Sequence, residues 1–350
     1  MTEPVVLDHE RVVIERGRSS RLPIIVAVHS TALGSAVGGC RMWPYPDWRE
    51  ALQDALRLSE AMSLKCAAAG MEHGGGKTVI ALPPDVELTA QRREAVMEDL
   101  GDIVEGLGGS YYVGEDVGTG PDDILVVRRQ TRWTARPRPA GAGPSGPAPT
   151  AIGVLEALRA TVRQAFGTSD LGGRRYAVVG LGHVGEPLAR LLAAEGASLA
   201  VSDIDERHRA TARELRADWL EPDDALFADV DVLVPAALGG VFSAASVPRL
   251  HCAAIAGPAN NQLVDRAVAE ALAARGILWA PDFIVNAGGV VFEVGVALDA
   301  LSDEAALERV RRVGARLQRV FEQAEARGVT PLEVTLDDAR AALQPAAVGA

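Results

Sequence analysis

Two lysines twelve positions apart, Lys65 and Lys77, are the residues of this chain best suited to acid–base work. The stretch Lys65-Cys66-Ala67-Ala68-Ala69-Gly70-Met71-Glu72-His73-Gly74-Gly75-Gly76-Lys77 is built mostly of small residues and runs through three glycines into the second lysine. Glycine gives up side-chain packing and costs conformational entropy, so three in a row mark a sharp turn or a close backbone approach. A lysine held at such a turn is partly withdrawn from water. Desolvation and a second ammonium nearby both move a lysine toward the pH range where it accepts protons. An isolated GGGK, by contrast, reads as a surface lysine after a flexible turn. Asp116, in Gly114-Glu115-Asp116-Val117-Gly118-Thr119, is the candidate acid, although alone it reads as a turn residue before Gly118.

A second chemical signature is Gly180-Leu181-Gly182-His183-Val184-Gly185. A lone GxGxxG is weak, but this one follows a β-branched run, Arg175 to Val179, and opens a helical pattern reaching about Glu195. Gly180 permits the tight turn, Gly182 lets backbone amides reach a pyrophosphate, and Gly185 lets the helix pack on the sheet. His183 and Val184 are the variable positions of the fingerprint. The next strand, Ser198 to Val201, leads to Asp203, which is placed to accept hydrogen bonds from an adenosine ribose. A carboxylate there repels a 2′-phosphate, so the expected cofactor is NAD; Arg207 and Arg209 keep NADP in view.

The elements that must position these groups follow from period and punctuation. Strands are expected at 5–7, 12–14 and 24–28, irregular backbone over Arg41 to Pro46 because of the prolines, and a helix over Trp48 to Ala61 that delivers Lys65 just past its end. Thr78 to Leu82 reads as a strand, 89–107 as a helix capped by Thr89, and 111–113 as a strand. The Pro/Gly-rich stretch 134–149 reads as a linker or active-site loop, with a helix from Ala151 to Phe166 beyond it. Alternating strands and helices follow, with strands near 230–234, 253–256 and 276–280, and then a long helix over 304–327. Such alternation means a parallel sheet with right-handed crossovers.

The 350 residues and 48% hydrophobic content suit two domains, and the net charge of −12 argues against nucleic acid as the main partner. Cys40, Cys66 and Cys252 have no metal-site spacing and suit a reducing cytoplasm. No secretory signal or membrane-length apolar run is read, and no metal site.

With Lys65, Lys77, GEDVGT and the glycine fingerprint in this order, the chain resembles the leucine/phenylalanine/valine dehydrogenases of the wider glutamate dehydrogenase superfamily. The likeness runs from Gly38-Gly39-Cys40-Arg41-Met42-Trp43, through PAALGG and AGPANNQL, to Pro281-Asp282-Phe283-Ile284-Val285-Asn286-Ala287-Gly288-Gly289. It implies an α/β fold of two domains with the active site in the cleft between them. Residues 1–149 would be the substrate and oligomerisation domain and 150–330 a Rossmann-type NAD domain, with 331–350 an Ala-rich tail. It implies reversible oxidative deamination of an L-amino acid to a 2-oxo acid and ammonia, in a homo-oligomer. Lys65 would hold the substrate carboxylate, Lys77 would be the general base, and Asp116 would exchange protons with the substrate amine. Gly39, Asn261 and Asn286 fall at substrate-side positions; Thr150 and Asn261 fall beside the nicotinamide, and Ala236 stands on the cofactor side where a cysteine is usual. His73 carries no catalytic role in this likeness.

Departures bear on specificity. The loop usually reading SSGNPSP is Gly143-Pro144-Ser145-Gly146-Pro147-Ala148-Pro149, and the second threonine after EDVG is Gly120. On a helix Asn286, Val290 and Glu293 would share a face. Relatives place an aliphatic residue where Glu293 stands. A carboxylate lining the pocket wants a donor, such as an indole N–H; one at the helix edge simply faces solvent. Besides an amino acid with an apolar or aromatic side chain, two readings stay open: a reductase of imines or oxo acids drifted from deamination, and a non-catalytic NAD-binding homologue.

Overall fold

The computed structural model describes residues 8–84, 88–136, 143–144 and 146–344. The strand expected at 5–7 lies outside the described residues, as do Ser145 and 137–142 of the linker. By its internal contacts the chain divides into two compact units, 1–140 with 338–350, and 141–337.

In the first unit, β1 (Arg11–Arg16), β2 (Pro23–Ser30), β3 (Ala36–Pro44), β4 (Gly74–Leu82) and β5 (Tyr111–Glu115) form one mixed sheet, with α1 (Trp48–Ala69), α2 (Ala90–Glu105) and α3 (Pro121–Val127) between them. The order is β1-β2-β4-β3-β5, with β1, β2 and β4 antiparallel and β4, β3 and β5 parallel. Strand alternation divides the core. Ile24, Val26, Val28 and Ile80 pack with Val96, Met97 and Leu100 of α2, while Ile25, Ala27, Val79 and Ala81 pack with Ala51 and Ala55 of α1.

Three local expectations change. Helix α1 does not stop at Ala61; it runs to Ala69 and ends at Gly70, whose φ of 70° is left-handed, so Lys65 lies inside its last turns. Of the stretch 41–46 expected to be irregular, residues 41–44 close the strand β3, tolerated because Pro44 is its final residue. Strand β4 starts at Gly74, four residues before Thr78, so the three glycines are strand rather than turn. Close approach is the reason. A Cβ at Gly75 would lie 2.0 Å from the Ser63 backbone N of α1, and one at Gly76 would lie 2.6 Å from the Tyr111 ring.

The second unit opens with α4 (Pro147–Phe166), which starts ahead of the expected Ala151 because Pro147 fits the first helical turn. Then follow β6 (Arg175–Val179), α5 (Gly185–Ala194), β7 (Ser198–Ser202), α6 (Arg209–Leu215), β8 (Asp218–Trp219), α7 (Pro222–Ala225), β9 (Val232–Pro235), β10 (Ala254–Ile255), α8 (Ala267–Ala274), β11 (Leu278–Trp279), α9 (Asp282–Val285), α10 (Gly288–Ala297) and α11 (Asp303–Arg327). Its six strands are all parallel in the order β11-β10-β9-β6-β7-β8, a doubly wound Rossmann-like sheet. The expected tail carries a helix, α12 (Pro331–Leu343). Helix α10 begins only at Gly288, so it carries Val290 and Glu293 while Asn286 caps α9.

Candidate active site

In the first unit Lys77 has the strand parity of Val79 and Ala81, so it shares their face of the sheet. Only 6% exposed, it needs an anion. Its Nζ donates to Asp116 Oδ2 at 2.6 Å. Asp116 lies one residue beyond β5, and its backbone N donates to Thr119 Oγ1 at 3.0 Å, while that hydroxyl donates to the Cys40 carbonyl at 2.7 Å. The turn expected around Gly118 is therefore also the device that holds the acid. Gly39 leaves room for it: a Cβ there would lie 2.7 Å from the Asp116 Cβ. Burial pushes the Asp116 carboxyl up, but the Lys77 ammonium and the Arg41 guanidinium outweigh that and hold it below the usual carboxylate range.

Lys65, half-buried on α1, stands two residues after Ser63, and Gly75, which packs on Ser63, stands two residues before Lys77. The helix that carries Lys65 thus packs against the strand that carries Lys77. His73 donates through Nδ1 to the Ser35 carbonyl at 3.2 Å, a loop contact beside Gly74. Cys66 is buried and its thiol is pushed up to about 12 by burial, which keeps it an inert core group.

Sequence reasoning quoted Arg41 only as part of a motif and passed over Asp54, Tyr45 and Arg57. Arg41 Nε donates to Asp116 Oδ2 at 3.2 Å and its Nη1 donates to Asp54 Oδ2 at 2.9 Å. Asp54 also accepts from Tyr45 OH at 2.7 Å and Arg57 Nη2 at 2.6 Å. Arg41 and Asp116 sit seventy-five positions apart, so no local pattern announces the pair.

In the second unit the glycine fingerprint is a built turn. Gly180 has φ of 107° and packs on Ala237, where a Cβ would lie 2.7 Å from the Ala237 Cβ; a Cβ at Gly185 would lie 2.0 Å from the Gly180 carbonyl oxygen and 3.2 Å from the Ala236 Cβ. Gly182 is different: nothing stands within 4 Å of its missing Cβ, and both it and His183 are exposed. Val184 is half-buried and caps α5, whose N-terminus opens there. The Asp203 carboxylate accepts from Leu181 N at 2.7 Å and from Asp205 N at 2.8 Å, which ties the end of β7 to the fingerprint. Ile204 and Leu238, at 91% and 80% exposed, are apolar side chains left in water on either side of this turn. Arg207 is engaged by Asp205, and Arg209 by Glu206 and Glu221. An open backbone turn, a helix N-terminus and a carboxylate at the next strand end suit a dinucleotide.

Two further clusters lie in this unit. Asn286, 8% exposed, donates through Nδ2 to Asn260 Oδ1 at 2.9 Å, and its buried Oδ1 has no hydrogen-bond partner. Asn261 adopts a left-handed φ of 53° and its carbonyl accepts from Gly240 N at 2.7 Å. The neighbouring Gln262, which sequence reasoning did not single out, is fully buried; it accepts from Trp279 Nε1 at 3.0 Å and donates to the Gly257 carbonyl at 2.8 Å, anchoring the strained residue. Elsewhere Thr150 Oγ1 donates to the Gly146 carbonyl at 2.7 Å, and Glu293 Oε1 accepts from Gly146 N at 3.0 Å. The donor that a half-buried Glu293 requires is thus supplied by the chain itself, at the N-cap of α4, where a carboxylate also meets the positive end of the helix. Val290 is half-buried on the same helix. Among the described residues no group of three or more His, Cys, Asp or Glu is placed to hold a metal ion.

Residues 4–133 match the sequence profile of the Glu/Leu/Phe/Val dehydrogenase dimerisation domain, and residues 202–333 match that of Glutamate/Leucine/Phenylalanine/Valine dehydrogenase. The chain is 38% identical to leucine dehydrogenase of Thermoactinomyces intermedius, over 92% of its own length and 87% of that protein's. It is 39% identical to phenylalanine dehydrogenase of Bacillus thermotolerans, over 93% and 86%. The crystal structure of L-tryptophan dehydrogenase from Nostoc punctiforme superposes with a TM-score of 0.86 at 34% identity, covering 96% of each chain. The hetero-hexameric glutamate dehydrogenase of Thermus thermophilus, at 24% identity and a TM-score of 0.74 over 96% of this chain and 88% of that one, shares the fold.

Proposed function

The chain belongs to the Glu/Leu/Phe/Val dehydrogenase family, an oxidoreductase acting on CH–NH2 donors, and we propose that it deaminates an L-amino acid with an apolar or aromatic side chain, reversibly, with NAD as its cofactor. The observation that carries this reading is the ion pair of buried Lys77 with half-buried Asp116 at 2.6 Å. A protein that only binds NAD has no use for a buried base on a carboxylate.

In this reading Lys65 holds the substrate carboxylate as a fixed cation. Asp116 takes a proton from the substrate ammonium, leaving the amine whose lone pair drives loss of hydride from the α-carbon. The Lys77 amine, once its ammonium proton has passed to solvent, takes a proton from the water that attacks the resulting iminium carbon. Asp116 then returns a proton to the carbinolamine nitrogen, and the C–N bond breaks as the hydroxyl gives its proton to solvent water, releasing ammonia and the 2-oxo acid. The dinucleotide supplies the hydride acceptor. Gly180, Gly182, His183, Val184, Gly185 and Ala236 would line its pyrophosphate turn, Asp203 would meet the ribose, and Thr150 and Asn261 the nicotinamide side. Gly39, Asn261, Asn286, Val290 and Glu293 remain assigned to the substrate side. The pairing of Arg207 and Arg209 with acids supports NAD over NADP, because neither is left to neutralise a 2′-phosphate.

Assembly into a homo-oligomer belongs to the same proposal and is supported by the dimerisation-domain match over 4–133. So does a cytoplasmic location, since Cys40, Cys66 and Cys252 are all free thiols. Among the described residues no helix is long and apolar enough to cross a membrane.

The test is NADH oxidation with ammonia over a panel of 2-oxo acids, branched aliphatic, phenylpyruvate, indolepyruvate and polar, with Lys77→Ala run beside the native protein. Ammonia-dependent turnover that falls by about 10²–10⁴ in the variant is expected. Turnover that needs no ammonia would replace this reading with an oxo-acid reductase, and NADH binding without turnover would replace it with a silent homologue.

A further inference from the structure

Asp116 meets two cations on one oxygen. Lys77 Nζ and Arg41 Nε both reach Oδ2, while the far end of the Arg41 guanidinium is pinned by Asp54 of α1. We propose that Asp54 is a positioning residue for the reaction: it holds the Arg41 guanidinium against Asp116, so that Asp116 keeps Oδ2 on the two cations and leaves Oδ1 to exchange the proton. This rests on the role given to Asp116 above.

A guanidinium is a planar fork with donors in fixed directions, so engaging Nε at one carboxylate and Nη1 at another fixes both its place and its plane. Asp54 is itself held from two further sides, by Tyr45 OH at 2.7 Å and Arg57 Nη2 at 2.6 Å. The side chains of Arg41 and Asp54 are 23% and 17% exposed, so the pair is neither a surface decoration nor sealed in the core. Both line a surface cavity of about 770 Å³ with Trp43, Tyr45, Arg57 and Val117, which is where an unpinned Arg41 would swing. A long cationic side chain given that room gains rotamer freedom and water by leaving Asp116.

The groups facing Asp116 come from three strands: Lys77 on β4, Arg41 and Cys40 on β3, and Tyr111 on β5, with the Arg93–Asp123 pair beyond Cys40. Burial holds the Cys40 thiol and the Tyr111 phenol protonated, so the charges that act are those of Lys77 and Arg41, then Asp54 behind Arg41. Asp54 could act on Asp116 in two ways of opposite sign. As a bare negative charge it raises the Asp116 pKa, and removing it would move the acid limb of the kcat–pH profile down. As the clamp on Arg41 it lowers that pKa, and removing it moves the limb up.

Arg41→Gln is expected to move the acid limb up by about one pH unit, tenfold in kcat on the limb itself. Asp54→Asn is expected to move it up by about half a unit, and the double variant no further than Arg41→Gln alone. Tyr45→Phe, which changes no charge at these pH values, is expected to shift it the same way by less. A limb that stays put or moves down in Asp54→Asn, or shifts that add in the double variant, would overturn the proposal. A second readout needs no substrate. The unfolding free energy of each variant minus that of its Asp116→Asn counterpart, followed against pH by denaturant titration, reports the Asp116 titration directly and should show the same signs. Absence of turnover in the native protein would therefore defeat the functional reading, while the wrong sign in the titration would defeat this one.

Discussion

Lys77 has given up its water to sit on β4, and Asp116 is what makes that tolerable. Replacing Asp116 by Asn leaves a buried ammonium facing an amide, which is expected to lower stability at neutral pH by on the order of 2 kcal/mol. The effect is pH-dependent with a definite sign. Burial raises the Asp116 pKa, Lys77 and Arg41 lower it by more, and the folded value lies below the unfolded one. Its contribution is therefore present in full above the ordinary carboxylate range and is lost as pH falls through the folded value. Urea titrations of the native protein and Asp116→Asn should differ at pH 7 and converge in acid; curves that stay parallel down to acid would contradict the pairing. Glu293 makes a different point at this scale. Its type suggested a pocket that wants a donor, yet the Gly146 amide provides one within the chain, and no residue near it in sequence signals that.

Between elements, glycines set how closely backbones approach. Strand β4 passes so close to α1 that a methyl at Gly75 would meet the Ser63 backbone at 2.0 Å, and backbone cannot rotate away as a side chain can. Gly75→Ala is expected to cost about 1–3 kcal/mol, read as a lower Tm, and to raise KM for the amino acid because it pushes the helix of Lys65 from the strand of Lys77. A Tm and KM equal to native would show that the contact is loose. In the second unit the fingerprint glycines divide by purpose. Gly185→Ala drives a Cβ into the Gly180 carbonyl and should destabilise the unit itself. Gly182→Ala meets nothing in the protein and should melt like native while binding NADH at least tenfold more weakly, since it fills the room kept for the pyrophosphate. Calorimetry of NADH binding on both variants separates the two effects; native affinity in Gly182→Ala would place the cofactor elsewhere.

At the scale of the whole molecule one unit holds the ionisable cluster and the other the glycine turn proposed for the dinucleotide. Among the described residues β1 is an edge strand, with a row of polar backbone groups on its outer side, and shows Ile14 at 46% exposure. A chain that lives alone is poorly served by such an edge. Light scattering is expected to report a multiple of the single-chain mass, and Ile14→Lys is expected to shift the population toward smaller species. A monomer in the native protein would remove the oligomer from the proposal.

In the second unit the nucleotide-type core was legible, because strand runs, a glycine fingerprint and an acid one strand later are all encoded within about thirty residues, where spacing maps directly onto geometry. The start of α4, the break between α9 and α10 and the helix α12 were not. The pair Lys65 and Lys77 and the segment of Asp116 stood out for the same local reason, and the family followed from their order. Less of the first unit could be read. The glycines before Lys77 looked like a turn and the prolines after Arg41 looked irregular, since a strand interior and a turn both use glycine, and only neighbours decide which. What tertiary structure alone decided is the company each charge keeps: Arg41 between Asp116 and Asp54, and Glu293 on Gly146. Those partners come from different elements, up to 147 positions apart, and their pairing depends on how helices and strands pack side by side, a quantity that no local spacing contains.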